Sequence, residues 1–179
     1  MTTPDMPPFE YLYELGSLGR AGAELRIEAD GDQRARIAAW ADVRAVEAFG
    51  ATVSLRKHSA DRFSVHAALV ADIVQDCVVT LEPVRSHLEI DVHRELHLAH
   101  RIRTKPGESI PLTAAAGDDD VPEEIEDLTY DLAAPLLEEL VLAIDPFPRA
   151  PGVEFAAPAE PDAKPESPFA VLKALKARS

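Results

Sequence analysis

One cysteine, Cys77, is present among 179 residues. That excludes an intramolecular disulfide and a four-cysteine zinc site. No run of about 18 apolar residues occurs, so no transmembrane helix is encoded. The opening residues, MTTPDMPPFEYLYEL, lack both the basic start and the apolar core of a secretory signal. A cytoplasmic protein without a membrane partner is the expectation. Catalytic motifs are missing too. The cluster Gly16-Ser17-Leu18-Gly19-Arg20-Ala21-Gly22 has no Lys-Ser/Thr ending and is no P-loop. No G-x-S-x-G elbow is present. The sequence leads us to expect no enzyme, no cofactor and no bound metal. Positive charge is also short: 18 basic against 32 acidic residues leave a net charge of −14. On that total alone, nucleic-acid binding is disfavoured.

What is there is unevenly spread. Residues 1–19 carry three acids and no Lys or Arg. Residues 20–105 balance 13 basic with 13 acidic residues, whereas residues 106–179 hold 5 basic and 16 acidic. The middle of the chain is therefore free to present a locally basic face. The acidity gathers in Asp118, Asp119, Asp120, Glu123, Glu124, Glu126 and Asp127, which reads as a solvated loop over about 114–127 or as a docking strip for a basic partner.

Hydrophobic periodicity predicts an α+β domain over 9–149, between a proline-rich tail (1–8) and a Pro/Ala-rich linker (150–166). AELRIEA at 23–29 alternates as a strand. A helix should run over about 32–41, capped by Asp32 and burying Ile37, Trp40 and Ala41. Phe49, Ala51, Val53 and Leu55 share one face of a second strand, and His58-Ser59-Ala60-Asp61 reads as a turn. Phe63, Val65, Ala67, Leu69, Ala71 and Ile73 alternate next, with Cys77, Val79 and Leu81 continuing the parity and Pro83 ending the run. Leu88, Ile90, Val92, Leu96 and Leu98 mark another long strand, and 128–132 a short one. Together these predict an antiparallel sheet of about five strands, open or barrel-like, with one dry face. APLLEELVLAI, near 134–144, is an amphipathic helix that covers that face through Leu136, Leu137, Leu140, Val141 and Ile144. Ser167-Pro168 opens a short final helix over 167–179, with Phe169 and Leu172 on its apolar stripe.

The candidate binding residues follow from parity. Arg85, His87, His93, His97, Arg101, Arg103 and Lys105 share one parity on and past the last long strand, while Arg56, His58 and Arg62 lie near the preceding hairpin. If the strands are neighbours, these side chains form the local basic cluster that phosphate contact requires. Glu89, Asp91 and Glu95 share that parity and dilute it. His93 and His97 stand in HxxxH spacing, but on a strand four residues span roughly 13 Å, too far to share one ion. Cys77 has the apolar parity of an inert core thiol.

The stretch RFSVHAALVADIVQDCVVTLEPV, Arg62 to Val84, resembles the YceD family of large ribosomal RNA subunit accumulation proteins. The family pattern of a strand with Q-x-C-x-x-x-L-x-P falls on Gln75, Cys77, Leu81, Glu82 and Pro83, after Ala67 and Ala71. IEDLTYDLAAPLLEELVLAIDPFPRAPG resembles the second block, an acidic stretch followed by a leucine-rich helix; its proline-flanked ending is of the alphaproteobacterial kind. SPFAVLKALK, Ser167 to Lys176, resembles the third. Some relatives carry C-x-x-C at the central motif, where this chain has Thr80 as the second residue, so no zinc role is carried over. The resemblance implies that the five motif residues are fold determinants, with Leu81 and Cys77 packing inward. It also implies a role in accumulation or processing of large-subunit ribosomal RNA.

Two functions remain in play. One is a non-enzymatic assembly factor that binds large-subunit ribosomal RNA or its precursor through the Arg/His face. The other is an acidic adaptor. It would use Asp118, Asp119, Asp120, Glu123, Glu124, Phe169 and Leu172 to hold a basic ribosomal protein or a processing enzyme.

Overall fold

The structure, a computed structural model, describes residues 7–99 and 122–153. Seven strands and two helices follow in order. They are β1 (Leu12–Glu14), β2 (Ala23–Glu28), α1 (Gly31–Trp40), β3 (Ala45–Lys57), β4 (Arg62–Asp76), β5 (Pro83–Leu98), β6 (Glu123–Ile125), β7 (Thr129–Asp131) and α2 (Ala133–Ala143). A single 3₁₀ turn, Leu15–Ser17, follows β1. The main sheet has the order β2-β3-β4-β5-β6 and is open, not closed into a barrel. Its first four strands are antiparallel, and β6 adds in parallel to the end of β5. β1 and β7 form a separate two-stranded ribbon. Among the described residues no helix is long and apolar enough to cross a membrane.

Alternation dictates which face is dry. Phe49, Ala51, Val53 and Leu55 of β3, and Phe63, Val65, Ala67, Leu69, Ala71 and Ile73 of β4, are all buried, as the period-two pattern predicts. Leu136, Leu137 and Leu140 of α2 join the same core, with Leu15, Leu18 and Leu132. Val141 does not: it is exposed, because the stripe presented to the sheet is narrower than the apolar run. Arg94 of β5 ties the helix down, Nη2 donating to Glu139 Oε1 at 2.7 Å. The first turn of α2 has no cap from Leu132. Asp131 supplies one instead, its Oδ1 accepting from Ala133 N at 3.0 Å and Tyr11 N at 2.7 Å. Pro135 stands in that first turn, where its missing N–H costs nothing.

α1 starts one residue earlier than the sequence suggests, because Asp30 and not Asp32 is the cap. The Asp30 carboxylate accepts from Gln33 N, and the Gln33 amide accepts from Asp30 N, both at 2.8 Å. Ile37 and Ala38 are buried, whereas Trp40 and Ala41 are only half-buried. Asp30→Ala is expected to destabilise the fold by about 1 kcal/mol, read as a lower urea midpoint at unchanged slope. An unchanged midpoint would mean that the box contributes nothing.

Other local departures have physical causes. Pro8, assigned to the tail from sequence, is buried, and its carbonyl accepts from Arg36 Nε at 2.7 Å. Phe9 beside it meets Phe49 edge-on at 5.7 Å. Gly22 has φ of +78°, and a Cβ there would lie 2.4 Å from the Leu55 carbonyl oxygen, so the turn into β2 requires glycine. β4 ends at Asp76. The parity expected to run through Leu81 stops there, in a turn closed by Cys77 N–H on Glu82 O and Leu81 N–H on Cys77 O. Leu81 is therefore not an inward residue: it is 75% exposed, with φ of 61°. Pro83 begins β5 instead of ending a strand.

Candidate nucleic-acid interface

The second face of the sheet carries no helix among the described elements, and the register places its side chains in rows. Across β3, β4 and β5 the rows read Arg56–Ser64–Glu95, Ser54–His66–His93, Thr52–Ala68–Asp91, Gly50–Val70–Glu89 and Ala48–Asp72–His87. Every described residue of the expected basic face lies on this side or at its ends. The rows also bring acids among them. Arg85 meets Glu47 at 3.0 Å. His87 Nδ1 lies 2.6 Å from Asp72 Oδ1, and its Nε2 lies 3.5 Å from Glu89. His93 is 3.5 Å from Glu95 and stacks on His66 with ring centroids 4.0 Å apart. The middle of the face is thus a mixed surface, with its basic groups set beside acids, and not a basic one.

The imidazole of His87 is held above its ordinary value of 6.5, chiefly by its hydrogen bond to Asp72. Stability from a raised histidine pKa is complete below 6.5 and fades as pH rises through the elevated value. Asp72→Asn should bring the NMR titration midpoint of His87 back down toward 6.5. Identical midpoints in the two proteins would show that the pair does not hold the proton.

The end of the sheet at the β3–β4 hairpin is different. Arg56 and Arg62 are exposed and make no side-chain hydrogen bond or ion pair among the described residues. Lys57 stands with them, its Nζ 5.6 Å from the centroid of the Phe63 ring. His58 Nε2 is 2.7 Å from Ser64 Oγ. His97 lies 3.5 Å from Asp61, an acid in the same turn. Three fixed cations, Arg56, Lys57 and Arg62, gather here with the carboxylates of Asp61 and, in the Arg56 row, Glu95, so positive charge is in excess. Parity reasoning missed Lys57, because its register partner is the inward Phe63, and it passed over His66. The pairing of Ser54 and His93 with His66 identifies the latter once the register is known. Arg101, Arg103 and Lys105 lie outside the described residues, as do Asp118, Asp119, Asp120, Phe169 and Leu172.

Two acids of the expected protein-binding strip are described. Glu123 and Glu124 belong to β6, not to a loop. Glu123 accepts from the Tyr130 hydroxyl at 3.0 Å, and burial together with that carboxylate pushes the phenol upward in pKa. Glu124 points to solvent.

The motif around Cys77 is a clamp. Gln75 Nε2 donates to Asp145 O at 2.8 Å, Val78 N–H to Pro148 O at 2.9 Å, and Ala150 N–H to Cys77 Sγ at 3.3 Å. The strand-end block and the block that follows α2, some 70 residues apart, are thereby tied together. Donors from Thr80, Ala150 and Val79 lower the Cys77 thiol to about 7. The sulfur is fully enclosed, so its role is that of an acceptor inside the clamp. Among the described residues no group of three or more His, Cys, Asp or Glu is arranged to hold a metal ion.

These two blocks fall within the part of the chain that matches a known family. Residues 65–176 match the family model described as "Large ribosomal RNA subunit accumulation protein YceD". Curated proteins and solved structures yielded no match. The match takes in most of β4, the Cys77 turn, β5 and α2, and it extends through the final leucine-containing block. On that match, covering more than half of its length, the chain belongs to the YceD family of large ribosomal RNA subunit accumulation proteins.

Proposed function

We propose that this protein is a non-enzymatic, cytoplasmic ribosome-assembly factor that supports accumulation of large-subunit ribosomal RNA by binding the RNA or its precursor. The observation that carries the reading is the hairpin end, where Arg56, Lys57 and Arg62 stand without carboxylate partners among the described residues, on a chain with net charge −14. Elsewhere on the described sheet face the arginines are paired, Arg26 with Glu28 and Arg85 with Glu47. A free cation at the hairpin is thus available for phosphate, and release of counterions there supplies sequence-independent affinity. Arg101, Arg103 and Lys105 follow shortly after β5, whose last residue sits beside the hairpin through Leu98 N–H on Asp61 O at 2.8 Å. Binding of a transcribed large-subunit RNA fragment to the full chain should weaken steeply between about 50 and 200 mM salt. Absence of binding at the lower salt would remove the direct-RNA reading.

One observation favours the adaptor as a second reading. Glu124 and Glu126 are exposed, and Leu142 and Phe147 are 78% and 68% exposed on the same acidic half of the chain. An acidic surface with open apolar side chains suits a basic protein partner. Capture of one ribosomal or processing protein that survives RNase treatment, and is lost on charge reversal at the exposed Glu124 and Glu126, would make the RNA effect indirect.

A further inference from the structure

Among the described residues, most of one edge of the long strand β5 is left unpaired. β6 pairs with it only at Leu96, His97 and Leu98. Nothing else among the described residues adds to that side. The direction of its amides is fixed by two hydrogen bonds: Leu98 N–H donates to Asp61 O on the β4 side, and Ala99 N–H donates to Ile125 O on the β6 side. Alternate residues of an antiparallel strand address the same neighbour. The β4–β5 register also runs without a shift from Arg62↔His97 to Asp76↔Pro83. The N–H and C=O groups of Arg85, His87, Glu89 and Asp91 therefore point outward, along an edge that no other described residue pairs, while the His93 carbonyl accepts from Arg94 Nη1 at 3.0 Å. Such a row is a template for another strand. Between Val84 and Arg94 it carries no proline, no lysine and no bulge, and the charged side chains that stand there are of both signs.

We propose that this edge pairs antiparallel with the same edge of a second copy of the chain, about a two-fold axis through Leu88. The charge pattern selects both occupant and register. With Leu88 opposite Leu88, His87 meets Glu89 and Arg85 meets Asp91, each twice by symmetry. A shift of two residues one way sets Glu89 against Glu89, and the other way His87 against His87, so only one register satisfies both charge pairs. In that register the pairs of outward-pointing amides fall on odd residues, as the observed hydrogen-bond directions require. The opposite face supplies a second argument. Val84, Leu88 and Ile90 are only half-buried, although they lie on the core side of the sheet. The second copy would cover them, with Leu88 on Leu88 and Val92 on Val84. The product is one continuous sheet with isologous symmetry. Its two hairpin ends lie at opposite extremes, roughly 60 Å apart from the strand rise.

The test uses the full chain at about 0.15 M salt, where screening limits repulsion between two copies of net charge −14. Light scattering over a concentration series should rise to twice the 19.4 kDa chain mass. Glu89→Pro removes an outward N–H that makes no bond to β4, so it should abolish the dimer while leaving the circular dichroism and melting temperature close to wild type. Leu88→Cys, oxidised in air with copper–phenanthroline, should give a disulfide-linked dimer, because facing residues at that kind of position lie close enough for the bond. Wild type, whose Cys77 is enclosed, and Val84→Cys, which faces Val92, should not. A constant monomer mass, a dimer that survives Glu89→Pro, or cross-linking through Val84→Cys in place of Leu88→Cys would each overturn the proposal. Should Glu89→Pro fail to fold, the cross-linking pair decides alone.

Discussion

Phe63→Ala is expected to lower stability by about 3–5 kcal/mol, the range for emptying a buried aromatic site. Phe63 has no exposed surface and is the first inward residue of β4. Its register partners are Lys57 on β3 and Leu96 on β5, so the ring plugs the core at the end of the sheet where three strands meet the hairpin. The substitution removes more than packing: Lys57 loses the ring face 5.6 Å from its ammonium group. A domain of this size has about 5–15 kcal/mol in total, so the loss is a large share. In a thermal scan it should appear as a drop of about 10–15 °C. Phe63→Leu, which keeps most of the volume, should lose far less. A drop in urea-derived stability below about 1 kcal/mol for Phe63→Ala would mean that the hairpin end is not packed against the core as described.

Arg56→Glu combined with Arg62→Glu is expected to weaken RNA binding on the order of 10–100-fold at moderate salt, with a shallower salt slope by one to two units. The hydrogen-bond pattern explains why these two carry the effect. Neither side chain has a partner among the described residues, so neither must break an ion pair to reach phosphate. Exposure makes the fold indifferent to them, within about 0.5 kcal/mol. The matched control is Arg26→Glu. Arg26 lies on the same sheet face but is already committed to Glu28 at 2.6 Å, and its reversal should change affinity little. Equal losses from the control and the double variant would reduce the effect to net charge. No loss from the double variant would move the RNA contact away from the hairpin.

The long elements were legible because each obeys a single local rule. Period-two burial marks β3, β4 and most of β5, and four-residue spacing of leucines marks α2; backbone geometry enforces both patterns wherever the elements pack. The family blocks were equally readable, since they are strings of residues. Local patterns marked β7 as the short strand at 128–132 but did not reveal β1 and β6, because three-residue strands hold too few side chains to show a period. β6 is the plainest case. Glu123-Glu124-Ile125 reads as an acidic loop, yet it becomes a strand because β5 offers it backbone partners. The Cys77 turn failed for a related reason: parity continues on paper through Leu81, but the chain turns where Cys77, Gln75 and Val78 find Ala150, Asp145 and Pro148.

The sequence by itself determined the α+β class, the dry face, the covering helix, the family and the list of candidate cations. Only the tertiary structure decided which of those cations are free. Charge identity is written in the chain, but charge pairing depends on the strand register. That register sets Asp72 against His87 and brings Glu47 to Arg85, while leaving Arg56 and Arg62 open at the hairpin.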